Sequence, residues 1–208
     1  MDEYKILAPL YDPLLHAVMH RVRNKVVEVV KNLPHQNIID ICCGTGNQLK
    51  YLQRAGFNDI TGVDISRSML GQARKGSDKV PCEEQDASRM QFNDNTFEVG
   101  IISFALHEKP EHIARQIIVE AKRVIHPRGH LILVDYLFRN HVRLPARVAI
   151  HMVERIAGKN HYKHFRQYLT HGGMDHFLDA STLIQEYRFH SNATGIRVYT
   201  MSKYGQYA

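Results

Sequence analysis

The feature that most constrains this chain is the stretch Ile38-Ile39-Asp40-Ile41-Cys42-Cys43-Gly44-Thr45-Gly46-Asn47. A short apolar run breaks into a glycine-containing turn and then into helical periodicity, the pattern of a strand that feeds a helix. The same change of period recurs down the chain. Residues 59–63 read as a second strand with a helix over about 66–74, residues 80–85 as a third strand, residues 97–103 as a fourth with a helix over 110–125, and residues 130–135 as a fifth. Alternation of this kind predicts an α/β fold with a doubly wound, mostly parallel sheet. Right-handed crossovers bring the strand C-termini and the loops after them to one edge, and ligands of such sheets bind there, where the strand order reverses.

The flanks read differently. Residues 14–32 carry an apolar helical face (Leu14, Val18, Val22, Val26, Val29, Val30, then Leu33) stopped by Pro34. Beyond Tyr136, residues 144–187 read as two or three helices with a break at Gly172-Gly173, and residues 188–192 and 196–203 as a hairpin around Ala193-Thr194-Gly195. The expected organisation is one domain over 1–208 with a helical cap inserted at about 139–187.

Three strand ends carry acids. The loop after the first strand offers a tight turn and the unpaired N–H groups of a helix start, which favour a carboxylate or phosphate. It is not the dinucleotide G-x-G-x-x-G, because the third glycine is missing after Asn47 and Gln48, so a nicotinamide-dependent oxidoreductase is not expected. Asp64, in Thr61-Gly62-Val63-Asp64-Ile65-Ser66, follows the loop at the distance expected of a carboxylate that accepts from ribose hydroxyls; it could instead cap the next helix, but its place after a strand that follows a glycine loop favours the ligand role. Asp86 follows the third strand and could accept from an exocyclic adenine amine or simply hold a turn.

Together these stretches resemble the class I methyltransferases that use S-adenosylmethionine (SAM), and more narrowly the methyltransferase-11 type and the ubiquinone/menaquinone biosynthesis C-methyltransferases. The resemblance is carried by Tyr11-Asp12, IIDICCGTGNQL, ITGVDISRSMLGQAR, EEQDASRMQFNDNTFEVGIISFALHE and EAKRVIHPRGHLILVDY, over about residues 4–136. It implies a Rossmann-like, seven-stranded sheet with an antiparallel last strand and SAM as cofactor. Asp40, Gly44 and Gly46 would cradle the methionine part, with Cys42 in the same loop. Asp64 would hold the ribose, Ile65 and Met69 would pack on the adenine, and Asp86 and Ala87 would contact its amine and ring. Ser103 and Phe104 would lie near the sulfonium, with Tyr11 closing over it. Many members carry glycine where Cys42 stands, so Cys42 is expected to crowd the loop slightly; Cys42 and Cys43 otherwise read as small buried hydrophobes.

Methyl transfer needs the acceptor held close and in line, and a base where the acceptor is a phenol, amine or enol-like carbon. Among the fourteen histidines, His107 follows the fourth strand at the cofactor edge, while His161 and Tyr162 lie in the cap. These three are the catalytic candidates.

Charge and composition narrow the rest. The net charge is +6, and residues 139–166 carry it: Arg139, Arg143, Arg147, Arg155, Lys159, Lys163 and Arg166 against the single acid Glu154. Arg139, Arg143, Arg147, His151 and Arg155 recur every four residues, and if residues 144–157 are helical they form a basic stripe beside an apolar one of Val148, Met152 and Ile156. That suits an anionic membrane surface and a lipid-soluble quinol, or another hydrophobic or anionic metabolite, as methyl acceptor. A non-catalytic SAM-binding protein and an RNA methyltransferase using the basic cap stay open as alternatives. Nucleic acid is not expected, since no RNA-binding module signature accompanies the stripe. The opening MDEYKILAPLYD lacks the apolar core of a secretory signal, and the three cysteines match neither a disulfide framework nor a zinc spacing. A reduced, cytoplasmic protein with no metal is expected; a homodimer is compatible with the sequence.

Overall fold

The computed structural model describes residues 8–34, 37–75, 79–138, 142–189 and 193–201, with side chains described from residue 19 onward except at 181. After helix α1 (Ala8–Lys31), strands and helices alternate: β1 (Ile38–Ile41), α2 (Asn47–Arg54), β2 (Ile60–Asp64), α3 (Arg67–Ala73), β3 (Cys82–Glu84), β4 (Phe97–Ser103), α4 (Glu111–Val124) and β5 (Ile125–Tyr136). Two cap helices follow, α5 (Leu144–Ile156) and α6 (Lys159–Thr170), then two short 3-10 turns and the hairpin strands β6 (Leu183–Phe189) and β7 (Thr194–Thr200).

The seven strands form one sheet in the order β3-β2-β1-β4-β5-β7-β6. β1 to β5 pair in parallel, and β7 runs antiparallel to both β5 and β6. The expected seven-stranded doubly wound sheet with an antiparallel last strand is therefore the observed one. Its central strands are buried on both faces, which is why they read as continuous apolar runs and not as alternations. Ile38, Val99, Ile101, Ile132, Val134, Ile196 and Val198 face one core with Val22 and Val26 of α1, Leu49 and Leu52 of α2 and Leu70 of α3. Ile39, Ile41, Ile102, Leu131 and Leu133 face the other with Ile117, Ile118 and Ala121 of α4 and Tyr168 from the cap. The order reverses between β1 and β4, so the loops after these strands flank the switch point.

Several boundaries differ from the sequence expectation. α1 begins six residues earlier than residue 14. β3 is only three residues long, a short edge strand. β5 starts directly at the end of α4: Ile125 pairs with Phe97, the register shifts, and pairing resumes at His130 with Val99. Pro127 and Gly129 lie in that irregular stretch, and they masked the continuity of the strand. The largest difference is β6. Residues 183–187 were expected to be helical but begin an edge strand, so the helical part of the cap ends before Leu183. An edge strand is only partly covered, and its apolar alternation is correspondingly weak. β7 starts at Thr194, two residues before the expected strand, and Lys203 lies outside the described residues. Among the described residues, no helix is long and apolar enough to cross a membrane.

The cap is fastened to the sheet by charge. Arg197 of β7 is 1% exposed and donates to Asp175, in the turn after α6, and to Glu186 of β6. A buried guanidinium needs such partners, because an unpaired charge in the core is strongly unfavourable.

Candidate functional site

A cavity of about 980 Å³ opens at the switch point, between the C-terminal edge of the sheet and the cap. That volume suits a small-molecule ligand pair. Cys42, Cys43, Gly44 and Thr45 from the β1 loop line one side, with Asp40 beneath them. Asp64, Ile65 and Met69 come from the end of β2 and from α3, Asp86 and Ala87 from beyond β3, and Ser103, Phe104 and His107 from beyond β4. Glu154, Gly158 and His161 close the cavity from the cap. Of the sequence-derived candidates, these lie together. Tyr11 belongs to α1, but its side chain is outside the described residues; Arg139 is also outside them.

Two candidates sit elsewhere. Gly46 does not line the cavity. It is the left-handed N-cap of α2, with φ 69°, and a Cβ there would stand 2.7 Å from Val80 Cγ2 and 3.0 Å from Ala73 Cβ. Its role is to let α2 start against α3 and the approach to β3. A Gly46→Ala variant is expected to lose about 2–4 kcal/mol, combining left-handed strain with overpacking, read as a lower urea midpoint and weaker SAM binding. Tyr162 is the second. Successive residues of a helix point about 100° apart, so with His161 turned inward Tyr162 is turned away, its hydroxyl 3.1 Å from His151 Nδ1. Tyr136, at the end of β5, is the tyrosine that faces the cavity.

One end of the cavity is built around carboxylates. Asp64 Oδ2 accepts from the Gly44 amide at 2.8 Å and Oδ1 from the Ser66 amide at 2.8 Å. It thus ties the glycine loop to the second strand end. Burial pushes its carboxyl up, opposed by those two amides. The cap of α3 is Ser66 itself, which accepts from Met69 N. Asp86 accepts from the amide and hydroxyl of Ser88 at 2.8 and 2.7 Å, holding a turn while it lines the cavity. Cys42 has φ 62°, a left-handed backbone that costs a Cβ-bearing residue about 1–2 kcal/mol. Here glycine would be the relaxed choice. The three cysteines are free.

The opposite end is a buried polar cluster that the sequence reading captured only in part. His107 is 4% exposed. Its Nδ1 lies 2.7 Å from Asp135 Oδ1 and its Nε2 lies 3.5 Å from Glu154 Oε2. Burial alone would push its imidazole pKa down; Asp135 and Glu154 outweigh that and hold it up at about 10. Glu154 Oε2 lies 2.5 Å from His161 Nε2, and its Oε1 accepts from the Tyr136 hydroxyl at 2.7 Å. Burial raises the Glu154 carboxyl, but His107 and His161 more than reverse this and keep it ionised. Glu108 and Lys109 pair at 2.6 Å on the same wall. Asp135, Tyr136, Glu108 and Lys109 were missed; Glu154 gave one signal, as the lone acid in a basic helix. The rings of Phe104 and Tyr136, 5.7 Å apart, add an aromatic surface.

The residues present fit SAM. Asp40 Oδ1 and Ser103 Oγ are buried without a hydrogen-bond partner among the described residues, ready for a polar ligand. Gly44 has open space where a Cβ would be, so the backbone can approach a ligand there. Ile65 keeps an apolar side chain 63% exposed at the cavity, the kind of surface a purine ring covers. Carboxylates at 40, 64 and 86 suit a cationic cofactor.

Comparison with known proteins agrees. Residues 38–129 match a family described as a methyltransferase domain. The chain is 32% identical over 108 residues to the ubiquinone/menaquinone biosynthesis C-methyltransferase UbiE of Roseobacter denitrificans, covering 49% of this chain and 42% of that protein. It is 30% identical over 134 residues to the demethylmenaquinone methyltransferase of Renibacterium salmoninarum, covering 62% and 55%. The chain thus spans about half the length of the curated relatives it matches. In fold it is similar to magnesium protoporphyrin IX methyltransferase from Synechocystis, solved with bound SAH, at a TM-score of 0.58, 20% identity and coverage of 87% and 83%. Sheet order, strand-end loops and relatives together make this chain similar to the class I SAM-dependent methyltransferases, with a methyltransferase domain matched over residues 38–129 and ubiquinone/menaquinone biosynthesis C-methyltransferases among its relatives.

Proposed function

We propose that the chain transfers the methyl group of SAM to a hydrophobic small molecule of quinol type, held between the strand ends and the cap. The observation that carries this reading is the pairing of two unlike ends in one cavity: carboxylates and an open glycine backbone at one, a buried acid–base cluster beside aromatic rings at the other. Bound SAM supplies an electrophilic methyl on a cationic sulfur. Asp40 and Gly44 would hold its amino-acid part, Asp64 its ribose, and Ile65, Met69, Asp86 and Ala87 its adenine. On the acceptor side, Glu154 and His161 form the hydrogen-bonded pair able to take a proton from an acceptor hydroxyl, with Tyr136 and His107 orienting Glu154. Phe104 and Tyr136 offer a flat acceptor an apolar wall, and the cap excludes water from the reacting atoms.

Cap helix α5 supports delivery of such an acceptor from a lipid surface. Leu144, Val148, Met152 and Ile156 are 71%, 49%, 60% and 80% exposed, spaced four apart, with Arg143, Arg147 and Arg155 alongside. An apolar stripe rimmed by arginines matches an anionic bilayer.

The test is calorimetric titration with SAM, followed by mass detection of methylated product from a demethylated quinol presented in anionic vesicles. SAM binding weakened at least tenfold by Asp64→Ala, together with product formation, is the expected result. No SAM binding removes the cofactor assignment; SAM binding without product from a panel of quinols, phenols and amines favours a non-catalytic SAM-binding protein. No sedimentation with anionic vesicles removes the membrane contact; equal sedimentation with neutral and anionic vesicles removes the role of the arginines in it.

A further inference from the structure

We propose that His107, Glu154 and His161 form a binding site for a divalent transition-metal ion of the zinc, cobalt or iron(II) class in the wall of the cavity. One donor atom from each residue lies within 4.8 Å of the other two. Two imidazoles and one carboxylate are a donor set suited to first-row divalent metals, with further positions left for ligands from the cavity.

The surroundings of the three donors argue for a built site. In metal centres the ligating imidazole gives its other nitrogen to a carboxylate, which fixes the ring. Asp135 does this for His107, at 2.7 Å from Nδ1, leaving Nε2 turned to Glu154. The Tyr136 hydroxyl holds Glu154 Oε1 at 2.7 Å, leaving Oε2 turned to both imidazoles. On the far side of His161, Nδ1 lies 3.7 Å from Glu108 Oε2. The donors come from three elements: the loop after β4, α5 and α6. A metal there would tie the cap to the sheet edge.

A second cluster is chemically different. Glu111, His171 and His176 also converge, but Arg115 Nη2 lies 2.5 Å from His176 Nε2 and its Nε donates to Glu111. A fixed guanidinium already supplies the positive charge, so that cluster is not assigned a metal.

With the ion bound, Glu154 and His161 would be its ligands, and the ion would replace that pair toward the acceptor by binding an anionic oxygen such as a phenolate or enolate whose proton has gone to solvent. This role rests on the methyl-transfer reading; binding of the ion does not. The metal-binding measurement therefore uses no SAM or acceptor. The full chain is stripped with chelator, dialysed and titrated with cobalt(II), followed by visible absorption and by metal analysis after gel filtration. Retention of about one equivalent with a new visible band is expected. Affinity should fall roughly 10–100-fold in Asp135→Asn, whose side chain meets the outer nitrogen of His107 and the backbone amides of His107 and Tyr136 but none of the three donor atoms, and retention should be lost in His161→Asn. His171→Asn should behave as the parent. Absence of retained cobalt and zinc in the parent overturns the proposal whatever the variants do. So does retention that His171→Asn abolishes and His161→Asn leaves intact. SAM titration of the same stripped protein separates a failure here from a failure of the cofactor assignment.

Discussion

Replacing Asp40 by asparagine is expected to yield a protein that melts higher and binds SAM more weakly. Asp40 is 2% exposed and its Oδ1 has no hydrogen-bond partner among the described residues. Burial pushes its carboxyl well above the ordinary value of 3.8, the nearby Cys82 and Asp64 add to this, and Arg23 opposes it. Removing the charge relieves about 1–2 kcal/mol of desolvation in the protein without SAM. For a chain of this size that is a rise in Tm of roughly 2–8 °C. The sign of the pH dependence follows from the raised folded-state value. The ionisation penalty is absent below 3.8 and grows as the pH rises through the folded-state value. The gain should therefore be larger at about pH 8 than at about pH 5. A charge-assisted hydrogen bond lost to SAM is a loss of about 1.5–3 kcal/mol, or roughly 10–150-fold in Kd. Thermal melts with and without SAM, and calorimetry, read both effects. A variant that melts lower and binds SAM as the parent does would make Asp40 a structural residue of β1 with no cofactor role.

The second large effect is expected at Asp135, with chelator present. Asp135 is 1% exposed. Its Oδ1 meets His107 Nδ1 and the Tyr136 amide, each at 2.7 Å. Asp135→Asn keeps the shape and removes the charge that offsets burial of the imidazolium. Breaking a buried ion pair costs about 3–5 kcal/mol, so Tm should fall by roughly 6–20 °C. Asp94 is the control: it pairs with Arg123 at 2.7 Å but is 70% exposed. Asp94→Asn should change stability by less than about 1 kcal/mol, because water screens an exposed pair. Equal melting of the two variants would mean that His107 carries no charge needing Asp135.

How far the sequence reaches is clearest at the catalytic candidates. Strand–helix alternation and the continuous apolar strands are local patterns, so β1 to β4 and the helices between them were legible in number and order. Asp40, Asp64 and Asp86 were legible for the same reason, since a strand end is where the period changes. Cys42 in place of a glycine could be read as a residue type, although its left-handed φ of 62° could not; the possible helix cap was read at Asp64, whereas Ser66 caps α3. β6 was missed because an edge strand lacks the two-sided burial that writes a pattern into sequence.

What the sequence by itself determined is the frame: a doubly wound sheet, a glycine loop after its first strand, and three acids brought to one edge by right-handed crossovers. Only the tertiary structure decided which side chains meet across that edge. His107 follows β4, Asp135 ends β5, and Glu154 and His161 lie on separate cap helices, yet all belong to one buried cluster. Their meeting depends on how the cap packs over the sheet and on which way each helix is rotated. One step of rotation is enough to turn His161 inward and Tyr162 out. Periodicity records which face of an element is buried, but it carries no information about which partner that face will find.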